Sequence, residues 1–395
     1  MKIAIVLMKY NPFGGYERQA ALLAEAFADR GDNVTVFANE WLGNSRAGIK
    51  FQKVPMFKGM SWLKVLSFAL FSKHCLNREE NNFDIIIAFD RTLVMDIYRA
   101  GNACHKEWIN FRKQHESILS LISIAINPLH IVINAIEKFI FSQIQKTTGK
   151  IIVLSEISAL QIRQHYSVEE NRFIVVPPAV DLTRFDKSKL PVYRKEQRNK
   201  LGIEKNTLLL LHVGSGFKIK GLNSTIASLS ILINKGLRAE LVIAGKDRSG
   251  VKKYLKLCQK MGLENNVHFL GGVKDIERFY GVADIFVMPS LFETFGIATI
   301  EALSFGLPVI IGRGAGVSSI VEQEKIGKVL NVPADPVELA DLIEETATNE
   351  NGLKSAGKID QEIEKRIGVS LKYDHSEIIK KYLTVIDQVA QRKTF

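Results

Sequence analysis

The sequence predicts an α/β protein with two domains, each built on a parallel β-sheet that helices cover on both faces. Short runs that are apolar throughout alternate with helical segments, which is typical of buried parallel strands. This alternation stops at 181–202, a charged stretch without a strand signal, and then starts again. The chain of 395 residues also exceeds the size of one ordinary hydrophobic core.

The first half supplies one domain, predicted to span residues 1–180. The helical period of the apolar residues in 17–31 predicts a helix that ends near Gly31. Apolar or β-branched runs predict the strands of this domain at 2–8, 33–39, 83–90, 150–155 and 172–180.

The second half repeats the pattern, which predicts a linker at 181–202 and a second domain at 203–373. Its predicted strands are 207–216, 239–245, 266–272, 283–290, 307–312 and 327–332. The last helix, 374–395, carries an apolar stripe that must pack on something, and we expect it to pack back on the first domain. Two Rossmann-like domains bind ligands at the carboxyl ends of their strands, so the predicted site is the cleft between them.

Composition narrows the class of protein. Three widely separated cysteines predict neither a disulfide framework nor a structural zinc site, and they favour a reducing cytoplasm. The first ten residues read as a strand and not as a signal peptide. A net charge of +11 allows an anionic partner such as a membrane surface or an acidic substrate, or else a solvated basic surface.

The most informative stretch is "PSLFETFGIATIEALSFGLPVI", residues 289–310. A strand turns there into a helix near Gly296, with Glu293 in the loop and Glu301 in the second turn. The exposed N–H groups around Ile297 would form an anion site at the helix N-terminus, and a carboxylate further on could accept hydrogen bonds from ribose. The alternative is that Glu293 only complements the helix dipole and Glu301 is a surface residue.

This stretch resembles the signature of the retaining family-4 glycosyltransferases, which have the GT-B fold. The resemblance implies that Glu301 holds the ribose of a nucleotide-sugar donor and that Glu293 is a catalytic residue contacting the transferred sugar. It also implies that the backbone of Phe295, Gly296 and Ile297 holds donor phosphate or sugar groups. Neither a cofactor nor a metal is expected, because the Asp-x-Asp metal motif does not occur.

The stretch "HVGSGFKIKGL", 212–222, supports the resemblance through its Lys-Gly element. Lys220 would neutralise the leaving diphosphate as charge develops on it, and Gly214 would lie beside the donor. Ser215 stands where the family usually has an arginine, and Lys218 is a candidate for the missing charge. Either lysine could instead be a solvated lysine at the start of a helix.

The resemblance implies four further site residues, of which His105 is predicted to be catalytic and Val273, Gly14 and Gly15 are predicted to bind the donor. The segment that ends at Val273 is similar to the one that contacts the base through backbone groups. His105 matches a family histidine that faces the donor sugar, although a lone histidine is more often structural. Gly14 and Gly15 would form a bare-backbone turn that lets the donor diphosphate or the acceptor come close, or a tight turn required only for packing.

The most apolar stretch, 118–146, includes Pro128 and several polar residues, so it is not expected to span a bilayer. The stretch could lie on an anionic membrane surface, because the cations Arg112, Lys113 and Lys138 lie in or beside it. The alternative is a pair of helices packed inside the first domain and broken at Pro128.

Over nearly the whole chain, the pattern is similar to bacterial lipopolysaccharide core glucosyltransferases. This predicts transfer of a hexose from a nucleoside-diphosphate sugar, with UDP favoured, to a lipid-linked or lipopolysaccharide saccharide. The predicted location is the cytoplasmic face of the inner membrane, without a nucleic-acid partner. A nucleotide-sugar epimerase of similar two-domain build, and a nucleic-acid-binding protein, remain the alternatives.

Overall fold

The computed structural model describes residues 1–10, 15–42, 47–78, 82–116, 118–247 and 250–393. The chain folds into two compact units, Met1–Ala179 with Ser376–Phe395, and Val180–His375. Each unit is built on one large parallel sheet, so the predicted α/β class with two parallel-sheet domains is confirmed.

The strands are short, as expected for strands buried on both faces. They are β1 Lys2–Val6, β2 Lys9–Tyr10, β3 Asn33–Ala38, β4 Glu40–Trp41, β5 Ile49–Lys53, β6 Ile85–Ala88, β7 Ile97–Ala100, β8 Lys150–Val153, β9 Phe173–Val175, β10 Leu208–Val213, β11 Ala239–Ala244, β12 Val267–Gly271, β13 Ile285–Met288, β14 Val309–Gly312 and β15 Gly327–Leu330.

The α-helices alternate with these strands. They are α1 Gly15–Asp29, α2 Ser61–Leu76, α3 His105–His115, α4 Ile118–Ile126, α5 Pro128–Lys146, α6 Glu156–His165, α7 Leu190–Leu201, α8 Leu222–Asn234, α9 Lys252–Lys260, α10 Glu277–Tyr280, α11 Ile297–Ser304, α12 Ser318–Gln323, α13 Pro336–Ser355, α14 Ile359–Leu371 and α15 His375–Lys393. None of the helices in the described parts of the chain is long and apolar enough to cross a bilayer.

The sheet of the first unit has the order β5-β3-β1-β6-β7-β8-β9, with every pair parallel. Strand β1 lies inside the sheet, between β3 and β6, and its side chains alternate between the two faces of the sheet. Ile3 and Ile5 pack into the core beneath α1 and α15, whereas Ala4 and Val6 pack into the core on the α2 side. The first strand is therefore apolar at almost every position because both of its faces are covered.

The last helix, α15, belongs to the core of the first unit. Its residues Ile378, Tyr382 and Ile386 are buried against the same apolar cluster as Ile3 and Leu23. The apolar stripe of the terminal segment is thus satisfied by packing against the first sheet.

Residues 181–202, which the sequence predicts to be a linker, are part of the second unit. They hold two 3-10 turns and α7. Arg194 and Arg198 of α7 both bond to the carboxylate of Asp284, at 2.6 and 2.7 Å. The charges that gave this stretch the appearance of a linker fix α7 to the chain just before β13.

The sheet of the second unit has the order β12-β11-β10-β13-β14-β15, again with every pair parallel. Strand β10 lies between β11 and β13, where the direction of the strand order reverses. In open α/β sheets, the crevice at such a reversal is where ligands bind, outside the carboxyl ends of the strands. The loops after β10 and β13 are therefore the first place to look for a site.

Candidate active site

A lysine and a glutamate meet at the carboxyl edge of the second sheet. Lys220 lies in the turn between β10 and α8, and Glu293 lies in the loop between β13 and α11. The ammonium of Lys220 is ion-paired with Oε2 of Glu293, and their side chains are 16% and 19% exposed. The structure thus brings together two residues that are 73 positions apart, both predicted to be catalytic.

The backbone holds the two loops against each other. The N–H of Leu291 donates to the carbonyl of Ile219 at 2.8 Å. Gly221 has a φ of +73°, and a Cβ there would overlap the carbonyl oxygen of Pro289. Glycine is required at this position for both reasons. The glycine that follows Lys220 in the sequence motif therefore has a structural cause.

Glu293 is fixed by its own main chain. Its N–H donates to the carbonyl of Gly314 at 2.9 Å, and its carbonyl accepts from Gly316 at 3.1 Å. These bonds form a parallel bridge to the loop after β14. Since the main chain makes the bonds, the carboxylate remains available for Lys220 or a ligand.

Burial shapes the electrostatics around Lys220. It lowers the pKa of the Lys220 ammonium to about 8, from an ordinary value of 10.5. His212, at the end of β10, is fully buried, and burial together with the charge of Lys220 lowers its pKa to about 3. Lys220 is therefore the cation of this site, while His212 is a neutral ring in the core behind it.

The N-terminus of α11 opens onto the same edge. Gly296 is its N-cap residue with a φ of +110°, and a side chain there would approach Val317 to 3.2 Å. Ile297 begins the helix, and Phe295 is buried beside Tyr373 at a ring-centroid distance of 5.7 Å. The first N–H groups of a helix have no acceptor within the helix, so this end can hold an anion.

Glu301 lies in the second turn of α11, as predicted. Its Oε2 accepts a hydrogen bond from the hydroxyl of Tyr280 at 2.7 Å. Tyr280 is fully buried and stacks on Phe305 at 5.9 Å, and burial beside Glu301 raises the pKa of its phenol well above 10. A carboxylate oriented in this way is suited to accept hydrogen bonds from vicinal hydroxyls.

The other donor-site candidates of the second unit lie on its loops. Gly214 follows β10, and a methyl group on it would lie 3.2 Å from Cε of Lys220. Ser215 and Lys218 are exposed in the same turn, and Val273 is half-buried just beyond β12. The roles of Gly214, Ser215, Lys218 and Val273 stay predictions.

Across the described ranges, no group of three metal-ligating side chains is placed to hold a metal ion.

Two candidates of the first unit, His105 and Gly15, begin helices that follow strands of the first sheet. His105 is the first residue of α3, just beyond β7, and it is 7% exposed. Gly15 is the first residue of α1. Gly14 lies outside the described residues. The contact of His105 with a donor sugar and the approach of a ligand to Gly15 stay predictions.

The stretch 118–146 forms two helices, α4 and α5, that meet at Pro128. Asn127 caps α5 by accepting a hydrogen bond from the N–H of Leu129 at 3.0 Å. One side of α5 is buried, whereas Ile126 and Ile131 are 75% and 66% exposed. The pair is therefore packed on one side and open on the other.

The three predicted membrane cations belong to the same region. Lys113 and Lys138 are exposed. Arg112 forms a two-bond ion pair with Glu116, at 2.8 and 2.7 Å. The charge of Arg112 is therefore balanced by Glu116.

Sequence reasoning missed the partners that orient the site. The sequence around Tyr280 does not predict its hydrogen bond to Glu301, because the fold brings the two residues together and no local motif contains both. Glu137, His130 and Arg91 surround His105 and come from the distant elements α5 and the loop after β6. A buried glutamate within the apolar run of α5 was the one available sign, since such a residue is almost always paired.

Comparisons with known proteins agree with this geometry. Residues 193–366 match the family model Glycosyl transferases group 1, and residues 13–184 match Glycosyltransferase Family 4. The chain is 28% identical over 350 residues to the lipopolysaccharide glucosyltransferase WaaG of Escherichia coli (strain K12), covering 88% of this chain and 90% of that one.

Solved structures show the same architecture. The crystal structure of WaaG, a glycosyltransferase involved in lipopolysaccharide biosynthesis, aligns with a TM-score of 0.78 at 26% identity over 97% of this chain and 99% of that one. Sucrose-phosphate synthase from Thermosynechococcus elongatus aligns with a TM-score of 0.73 at 17% identity over 98% of both chains, which shows a common fold.

Proposed function

This chain belongs to the glycosyltransferases with the GT-B fold, and we propose that it transfers glucose from UDP-glucose to a lipopolysaccharide-core or other lipid-linked saccharide, with retention of configuration. The observation that carries the proposal is the Lys220–Glu293 pair beside the N-terminus of α11. The similarity to a lipopolysaccharide glucosyltransferase over 88% of the chain supports the sugar and the acceptor. The matched models are named as transferases, which favours transfer over the epimerase alternative.

In this proposal the chain stabilises a departing diphosphate. The bond from the sugar C1 to the phosphate oxygen breaks while the acceptor oxygen bonds to C1 on the same face. The acceptor proton moves to the leaving phosphate oxygen, so no protein base is needed. Lys220 and the N–H groups at the start of α11 meet the negative charge that develops on the diphosphate, and they are fixed in place before the reaction.

The carboxylates hold the two ends of the donor. Glu301, oriented by Tyr280, accepts hydrogen bonds from the ribose hydroxyls. Glu293 contacts the transferred hexose and orients Lys220. His105 of the first unit faces the hexose, and the site uses the cation of Lys220 in place of a metal.

The direct test is incubation of the purified protein with UDP-, GDP- and ADP-glucose and a lipopolysaccharide core that lacks its outer hexoses. We expect transfer from UDP-glucose, detected by mass spectrometry, and an α-linked product by NMR. An isomerised donor without transfer would support the epimerase alternative. The melting temperature measured with each donor is a second readout. If only GDP-glucose or ADP-glucose raises it, the nucleotide of the donor is not uridine.

Glu301→Gln is expected to raise KM for UDP-glucose about tenfold or more, because charge-assisted hydrogen bonds contribute about 1.5–3 kcal/mol. The sharp measurement compares UDP-glucose with its 2′-deoxy and 3′-deoxy ribose analogues. The wild type should discriminate against one or both analogues, and the variant should lose that preference. Tyr280→Phe keeps the carboxylate and should have a smaller effect. Equal discrimination by wild type and Glu301→Gln would remove Glu301 from the ribose site.

We further propose that the open side of α4 and α5 lies on the cytoplasmic face of the inner membrane. The exposed side chains Ile126, Ile131 and Phe139 would enter the headgroup region, and Lys113 and Lys138 would attract anionic lipid. This placement would bring the enzyme to an acceptor held in the membrane, and we propose no nucleic-acid partner.

Flotation with anionic vesicles tests this proposal. Lys113→Glu/Lys138→Glu should lose most of the flotation at low salt, because each basic residue near an anionic surface contributes about 1 kcal/mol. The matched control is Lys256→Glu/Lys260→Glu, which reverses two exposed charges on α9 of the second unit. Equal loss in both double variants would indicate a general charge effect, and no flotation of the wild type would contradict the proposal.

A further inference from the structure

Two buried imidazole rings contact each other in the first unit. Nε2 of His105 and Nδ1 of His130 are 2.9 Å apart, and the two rings meet edge to edge, with centroids 5.1 Å apart and planes inclined at 25°. The residues are 7% and 9% exposed. His105 begins α3, and His130 lies in the first turn of α5, so the contact joins two helices.

Both rings are neutral at physiological pH. Burial, together with the charge of Arg91 and the neighbouring ring, lowers the pKa of His105 to about 4. Burial and the charge of Arg112 lower the pKa of His130. The position of His130 near the N-terminus of α5 also disfavours a positive charge. A hydrogen bond between two neutral imidazoles contains one proton, because one nitrogen donates and the other accepts.

The main chain of His105 is fixed separately from its ring. The carboxylate of Glu137 accepts from the N–H of His105 at 3.1 Å and so caps α3. Glu137 is 2% exposed, and it is held by Arg91 at 2.6 Å and by the hydroxyl of Tyr166 at 3.2 Å. Among the described residues, His130 is the one polar partner of the His105 ring.

We propose that His130 is a positioning residue that holds His105 in one ring orientation and one tautomer. The state of the shared bond decides the state of the outer nitrogen. If Nε2 of His105 donates to His130, Nδ1 of His105 can only accept, and if Nε2 accepts, Nδ1 carries the proton and donates. In each of these two arrangements Nδ1 of His105 has one defined hydrogen-bonding role toward a hydroxyl of the sugar, and the proposal is that the protein holds one of the two. This inference rests on the proposed function, which places His105 at the donor.

The tautomer can be measured without any substrate. Long-range ¹H–¹⁵N correlation spectra of protein labelled at histidine distinguish the two neutral tautomers of each ring. Wild type should show a single tautomer for His105, and His130→Phe, which keeps a ring without the nitrogens, should show a mixture. His130→Asn places an amide close to the former Nδ1 and should restore one tautomer. A mixture in the wild type, or an unchanged spectrum in His130→Phe, would overturn the inference.

Kinetics with UDP-glucose show whether the positioning matters for transfer. His130→Phe should lower kcat about ten- to a hundredfold with little change in KM, and His130→Asn should recover most of that loss. In the His105→Phe background, His130→Phe should cost nothing further, whereas additive losses would mean that His130 does not act through His105. His115→Phe, at an exposed position of α3, is the control.

These outcomes separate the inference from the proposed function. A wild-type protein that does not use UDP-glucose contradicts the function, and the spectra still decide the tautomer. Melting temperatures of the variants show whether a loss of activity reflects unfolding.

Discussion

Glu293→Gln is expected to lower kcat for glucosyl transfer by about a hundredfold or more, while the protein stays folded. Glutamine has the same shape but cannot offer a negative charge to Lys220 or to the hexose. A preorganised charged group in a buried site typically contributes two or more orders of magnitude to the rate. The fold should survive because Gly314 and Gly316 bond to the main chain of residue 293 and not to its side chain.

The measurement is initial-rate transfer from UDP-glucose, with circular dichroism and a melting curve as the test of folding. Glu344→Gln is the matched control, because Glu344 is an ion-paired glutamate of the same unit whose side chain is 40% exposed and bonded to Lys235. It should keep wild-type rates. Undiminished turnover by Glu293→Gln would remove Glu293 from the catalytic site.

Lys220→Met is expected to lower kcat/KM for UDP-glucose by about a hundredfold or more, because in the proposed mechanism it removes the cation that meets the leaving diphosphate. The pH dependence gives a second test of the same residue. The pKa of Lys220 is lowered to about 8, so the ammonium is present below pH 8 and lost above it. The kcat/KM of the wild type should therefore fall as the pH rises through about 8.

Two further results would show that this fall in activity at high pH, the basic limb of the pH profile, is caused by deprotonation of Lys220. A bound diphosphate stabilises the ammonium, so the basic limb of kcat should lie at higher pH than that of kcat/KM. Lys220→Arg should lose the limb, because arginine stays protonated. Lys328→Met, at a surface lysine of β15 paired with Glu345, is the control. A basic limb at pH 8 that persists in Lys220→Arg would assign it to another group.

Most of the fold could be predicted because both sheets are parallel and buried, so their strands are written as continuous apolar runs. Among the strands of the two large sheets, β5 and β7 were not predicted, and the two-residue strands β2 and β4 were not predicted either. Strand β5 lies at the edge of the sheet, and its sequence, Ile49–Lys53, includes charged and exposed residues. Strand β7 contains Arg99, which is 1% exposed and donates to the hydroxyl of Tyr382 at 2.8 Å. A buried arginine interrupts the apolar pattern, and its partner lies 283 residues away.

Some features of the candidate site could likewise be predicted from local sequence, and others depend on the fold. The placement of Glu293 before a helix and of Glu301 inside it could be predicted, because both belong to one local strand-turn-helix motif. The Lys220–Glu293 pair needed the strand order, since β10 and β13 are adjacent in the sheet but distant in the chain. The bond from Tyr280 to Glu301 and the contact of His130 with His105 depend on packing between helices, which local patterns do not encode.

The return of α15 to the first sheet has a consequence for biosynthesis. A ribosome releases the strands of the first unit long before Ile378, Tyr382 and Ile386, which complete its core. During translation of the whole second unit, one apolar face of the first sheet lacks its final cover. We expect a chain that stops at His375 to bind a hydrophobic dye and to exchange the amide hydrogens of β1 quickly. We therefore expect the nascent chain to depend on rapid synthesis or on a chaperone until α15 has emerged.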